Sequence, residues 1–107
     1  MPDPAPRHIV HIDPDLLPLI PDFLAHRRAD VTAVRAALAR ADYDAIRVVG
    51  HNLRGCGAGY GFAAITDVGT DLERAAKSGD AGEMRRCVDA LAAYLEHVEV
   101  VEAPTRS

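Results

Sequence analysis

Apolar residues recur at intervals of three and four along most of this sequence. They fall in four runs, each stopped near its end by glycine, proline or a capping aspartate. That period marks amphipathic helices with one buried stripe. The first run carries Leu24, Val31, Val34 and Leu38 down to Arg40. Asp13-Pro14-Asp15 reads as a helix start, an aspartate cap ahead of proline in the first turn. Pro18 and Pro21 break that opening, so a short helix or kinked turn should precede the long one. The second run carries Ile46, Val49, Leu53 and Cys56 behind a cap at Asp42. The third resumes at Phe62 with Ile65, Val68, Leu72 and Ala76. Ser78-Gly79-Asp80 closes it and caps the fourth, which passes through Met84, Val88, Leu91, Leu95 and Val98 to about Val101. Short links place sequence neighbours antiparallel. The expected fold is all-α: an antiparallel up-down four-helix bundle with a short extra helix at its N-terminal end.

The boundaries follow from the same pattern. Residues 1–13 hold three prolines and no period, and read as a flexible arm; 14–102 form the bundle and 103–107 a tail. Ile9-Val10 and Val98-Glu99-Val100-Val101 have local strand propensity, but the stripe of the fourth run leads into the latter, which we read as a last helical turn. With 107 residues, 49% of them hydrophobic, a chain of this size buries about 65% of its unfolded surface and needs no metal or disulfide staple. It is too short to hold a nucleotide and a substrate site together, so energy-rich chemistry must be fed by a partner. A formal charge of −4 argues against nucleic acid, whose binders cluster Lys and Arg. No apolar stretch approaches the roughly 18 residues of a membrane span. The N-terminus has no charged-then-apolar signal layout. Cys56 and Cys87 are too few for a secreted scaffold, and we expect two buried reduced thiols. These readings lead us to expect a cytoplasmic monomer.

Among the five histidines, His51 stands out by position. At about 100° per residue it lies 200° from both Val49 and Leu53, on the side of its helix away from the apolar stripe. Arg47 and Arg54 flank it at i−4 and i+3, and Gly55 and Ala58 above it carry almost no side chain. Glycine inside a helix costs about 1 kcal/mol relative to alanine, so Gly50, Gly55 and Gly57 around one exposed imidazole call for a reason. For Gly55 we read clearance, room for another protein's active site to close over the ring. For Gly59 and Gly61 turn formation or close helix packing is the better account. Arg47 can equally form an i−3 pair with Asp44. Tyr60 and Phe62 can serve a docking patch or plug the core, the latter being the stronger reading for Phe62. The glycine run lacks the preceding strand and the Gly-Lys-Ser/Thr of a phosphate loop. No helix carries HExxH or ExxH, and His8-x-x-His11 is a lone pair in a proline-rich arm, so no metal site is expected.

The residues His51-x-Leu53-Arg54-Gly55, with Gly61 ten positions after the histidine, resemble the signature of histidine-containing phosphotransfer (HPt) domains of two-component phosphorelays. Phe23-Leu24, Ala41-Asp42-Tyr43-Asp44, Gly61-Phe62, Leu72-Glu73 and Ala75-Ala76 extend the likeness over residues 14–101. The resemblance implies a four-helix bundle in which His51 accepts a phosphoryl group from a receiver-domain aspartate or a histidine kinase and passes it on. Arg54, where most members carry lysine, would hold phosphoryl oxygens or meet the partner's acidic pocket, with Arg47 helping to steer docking. Gly50 stands where alanine is usual and Cys56 where serine is frequent. The implied partners are the receiver domain of a response regulator, a hybrid histidine kinase, or both. No cofactor of its own is implied, Mg²⁺ being expected in the receiver. An exposed imidazole is mostly neutral and nucleophilic near pH 7, and a loose in-line transfer needs mainly positioning and charge stabilisation. Two other readings stay open at this point: a helical module that binds or sequesters a receiver without relay, and a small metal-binding bundle.

Overall fold

The computed structural model describes residues 8–104. Its body is four helices: α1 (Ile20–Ala39), α2 (Tyr43–Cys56), α3 (Ala63–Ser78) and α4 (Ala81–His97). Each helix packs on its sequence neighbour, and α4 returns to α1 to close the ring. The α2/α3 and α1/α4 seams therefore lie on opposite sides of the bundle. This is the all-α bundle expected from the periodicity. The broken opening of the first run is a 3-10 turn at Leu17–Leu19, which places Pro18 and Pro21 ahead of regular helical hydrogen bonding. Asp42 caps α2 by accepting from the Ala45 N–H at 3.2 Å, and Asp80 caps α4 by accepting from the Glu83 N–H at 3.0 Å. Gly79 ends α3 in the left-handed region at φ 71°.

The core is made by the stripes. Val34, Ile46, Leu53, Ile65, Leu72, Met84 and Leu91 are all at 0% exposure. Phe62 does not begin α3 but caps it, and is fully buried there. Its ring stacks on Phe23 at 5.3 Å, and Phe23 stacks in turn on half-buried Tyr60 at 4.4 Å. Both aromatics after the glycine run thus serve the core. The cysteines differ from each other: Cys87 is buried, while Cys56 is half-buried and accepts from Arg27 Nη1 at 2.9 Å, tying α2 to α1.

The chain ends depart from the sequence reading. His8–Ile12 forms strand β1 and Val98–Glu102 forms β2, paired parallel with His8 opposite Val98 and Ile12 opposite Glu102. Helix α4 stops at His97 instead of continuing to about Val101, and this part of the expected arm is bound in a sheet. The physical reason is side-chain branching: Val98, Val100 and Val101 lose rotamer freedom in a helix and fit an extended backbone. A parallel pair needs a long crossover, which the whole bundle supplies. Ile12 is only 1% exposed and joins the core, whereas Ile9, on the other side of the strand, is 58% exposed. The remainder of the expected arm and tail, residues 1–7 and 105–107, lies outside the described residues. Among the described residues, no helix is long and apolar enough to cross a membrane.

Candidate functional site

The capped start of α2 and the burial of Ile46 and Leu53 fix the rotation of that helix, and His51 falls on its outer side with 58% of its side chain exposed. What lies beneath the ring is decided by glycines. Gly50 is buried, and a Cβ there would meet the Glu73 backbone nitrogen at 2.6 Å and the Gly69 carbonyl at 3.0 Å. Gly69 on α3 answers it, its missing Cβ lying 2.7 Å from the Leu53 Cβ. The two backbones are in contact at this point. Gly50, for which the sequence suggested no particular role, is therefore a packing glycine that admits α3 beneath the imidazole. Gly57 is of the same kind, since a Cβ there would lie 2.6 Å from the Thr66 nitrogen. Gly55 is different: nothing lies within 4 Å of the position its Cβ would take.

Close approach of α3 brings Glu73 under His51. Glu73 is 4% exposed and is the buried charged side chain among the described residues. Its Oε2 lies 3.0 Å from His51 Nδ1, its Oε1 lies 3.1 Å from Arg54 Nη1, and Lys77 Nζ stands 3.9 Å from Oε2. Burial pushes this carboxyl up. The hydrogen bond from His51 and the charges of Arg54 and Lys77 together outweigh burial and hold it below the ordinary glutamate value. An ionised carboxylate only accepts, so the bond to Oε2 needs the imidazole proton on Nδ1. The lone pair is then on Nε2, on the far side of the ring from Glu73. Arg54 Nη2, 3.2 Å from Nδ1, is then a close neighbour of the ring whose hydrogen bonding goes to Glu73.

The other residues singled out by sequence fall into two groups. Arg54 belongs to the cluster, and the end of α2 that carries it is tied down by Thr66. That hydroxyl donates to the Arg54 carbonyl at 3.2 Å and accepts from the Ala58 N–H at 2.8 Å. Gly55, in the last turn of α2, and Ala58, just beyond its end, are both exposed. Arg47 is not brought to His51; its Nε donates to Asp44 Oδ1 at 3.0 Å within the same helix. Val48, one turn before His51, is 44% exposed and adds an apolar element to this face. Glu73 was not assigned a role from sequence, although a signal was there. It lies in register with Ile65, Gly69, Leu72 and Ala76, an acid on an otherwise apolar stripe. Among the described residues, no group of three or more His, Cys, Asp or Glu is placed to hold a metal ion.

The arrangement offers one exposed nitrogen nucleophile with its tautomer set from behind, a guanidinium beside it and open space above. Comparison with curated proteins and comparison with solved structures each returned no significant match. The family model described as the Hpt domain matches residues 18–101, a span that takes in all four helices and the whole of the His51 cluster, and the chain belongs to that family.

Proposed function

We propose that this protein carries a phosphoryl group on Nε2 of His51, taking it from a receiver-domain aspartate or a histidine kinase and delivering it to another receiver. Membership of the Hpt family implicates the chain in phosphorelay histidine phosphotransfer and in interaction with receiver domains and kinases. The observation that carries the finer assignment is the Nδ1–Glu73 hydrogen bond at 3.0 Å beneath an imidazole that is otherwise exposed.

In the transfer, the Nε2 lone pair forms the N–P bond as the bond from phosphorus to the aspartyl oxygen breaks, and the aspartate departs as carboxylate. The ring gains positive charge while its proton stays on Nδ1, and Glu73 is placed to balance that charge. The return step is the reverse: neutral imidazole is the leaving group, with Nδ1 again facing Glu73. Arg54 can turn from Glu73 Oε1 to the phosphoryl oxygens, and Lys77 remains beside Oε2 when it does so. The divalent cation that this chemistry calls for belongs, in this reading, to the receiver. Val48, Gly55 and Ala58 supply a small, largely apolar docking face around the ring.

Incubation with a phosphorylated receiver tests the assignment. Acid-labile, alkali-stable phosphate should appear on the wild type and be absent from His51→Gln. Binding of a receiver without labelling, across the receivers of the source organism, would favour the sequestering module instead. Label that persists in His51→Gln would move the acceptor elsewhere.

A further inference from the structure

We propose that Lys77 is a positioning residue for the transfer, one that takes over Glu73 when Arg54 turns to the phosphoryl group. This deepens the acceptor assignment above and rests on it. Glu73 is 4% exposed, and a carboxylate buried without a cation tends to take up a proton. At rest it has two fixed cations: Arg54 Nη1 stands 3.1 Å from Oε1, and Lys77 Nζ stands 3.9 Å from Oε2. One cation is enough to balance one acid, so the second is surplus until the first is drawn away.

The placement of the two cations divides their work. Arg54 is on α2 with His51, and its Nη2 lies 3.2 Å from Nδ1, so it is the cation that a phosphoryl group on the ring can draw off. Lys77 is on α3 with Glu73, one turn after it, the order in which an acid and a lysine support each other on a helix. Its ammonium is a compact charge on a flexible stem, with 61% of the side chain exposed, so it can close on Oε2 without disturbing packed atoms. Among the described residues, the charges that act on Glu73 are His51 and Arg54 from α2 and Lys77 from α3. The neighbouring cations are engaged elsewhere: Arg47 on α2 by Asp44, Arg74 on α3 by Asp71 and Arg86 on α4 by Glu83. Burial by itself pushes the Glu73 carboxyl up. With both cations gone, the proton shared with the ring would move to Oε2, and the ring would have to leave phosphorus as an anion. Lys77 keeps the carboxylate ionised while Arg54 is on the phosphoryl oxygens, and the proton stays on Nδ1.

Labelling of His51 by a phosphorylated receiver, followed from about pH 5 to 8, tests this. Lys77→Gln should slow labelling about fivefold at neutral pH. It should also move the acid limb of the profile to higher pH, because the carboxyl loses a charge that holds its titration down. Lys77→Arg should stay within about twofold of wild type with the limb in place. In Arg54→Gln, Lys77 is the fixed cation left on Glu73, so adding Lys77→Gln there should move the limb further than it does in the wild type. Slower labelling with the limb unmoved would mark a structural role and overturn the proposal, as would Lys77→Arg no better than Lys77→Gln. Normal labelling of both wild type and Lys77→Gln would overturn the role of Lys77 alone. A wild type that takes no label would overturn the acceptor assignment, and this proposal with it.

Discussion

His51 and Glu73 share one proton, and its position is governed from the carboxylate side. The Glu73 carboxyl titrates below its ordinary value in the folded chain and regains that value on unfolding, so in acid the folded state binds fewer protons than the unfolded one. The stability drawn from its contacts is therefore complete above the unfolded value of 4.5 and is lost as pH falls through the lower folded value. Glu73→Gln should remove that acid step. Urea midpoints at neutral pH and in acid should lie closer together in the variant than in the wild type, and an equal fall in both would assign the step to another group. Glutamine still offers an oxygen to Nδ1–H but no countercharge, so phosphoryl acceptance should slow by about tenfold at neutral pH, as expected when a charge-assisted bond becomes a neutral one. Gly55 separates stability from transfer in the opposite way. Open space surrounds its Cβ position, so Gly55→Gln should add about 0.5–1 kcal/mol of helix stability. The same side chain stands in the path of a docked receiver, and transfer should drop at least about tenfold while the melting temperature rises slightly. Transfer at the wild-type rate would end the clearance argument.

At the scale of elements, chemistry depends on how closely α2 and α3 approach, and two facing glycines set that distance. Gly69→Ala forces a methyl against Leu53 Cβ and the Gly50 carbonyl, which are backbone-anchored and cannot yield as a flexible side-chain tip would. Alanine's propensity gain of about 1 kcal/mol opposes the strain, and a net loss of about 1–3 kcal/mol is expected in urea unfolding. Because the wedge also lifts Glu73 from the ring, ¹⁵N spectra should show His51 losing its preference for the Nδ1–H form. A stable variant with the wild-type tautomer would show that the glycines do not set the contact. The helices themselves were legible because their signal is local: stripes of Ile, Val and Leu at three and four, with Asp42 and Asp80 as caps. His51 facing outward followed from the same arithmetic. The role of Gly50 did not, since a glycine in a helix reads alike whether it clears space outside or admits a neighbour inside. Glu73 was legible only as an anomaly, an acid in an apolar register, because its partners His51 and Arg54 are on another helix.

At the scale of the whole molecule, the proposed relay face and the α1/α4 seam occupy opposite sides of the bundle, and the strand pair fastens the two ends of the chain. That fastening was hidden in the sequence for a plain reason. HIVHI and VEVVE are each too short to declare a strand, and what makes them strands is each other, with His8 opposite Val98 across the whole bundle. Local periodicity carries no information about such a pairing, and the stripe of α4 led the reading through it. The consequence is that β1 belongs to the core. Ile12 is 1% exposed, and its Cδ1 lies 2.9 Å from where Gly61 would carry a Cβ, so it presses on the turn that follows α2. Gly61 holds φ 94° there, a backbone state that favours glycine. Ile12→Ala should therefore cost about 2–4 kcal/mol, the range for a buried isoleucine truncated to alanine. In a domain of this length that lowers the melting temperature by roughly 10–25 °C. A loosely docked arm would instead show the near-zero change of a surface substitution, within about 0.5 kcal/mol. Ile12 is on β1, whereas His51 and Arg54 are on α2 and Glu73 is on α3, so phosphate labelling of His51 well below the lowered melting temperature should stay within about twofold of wild type. Stability lost with labelling retained would identify β1 as a fastening of the fold that stands apart from the transfer site.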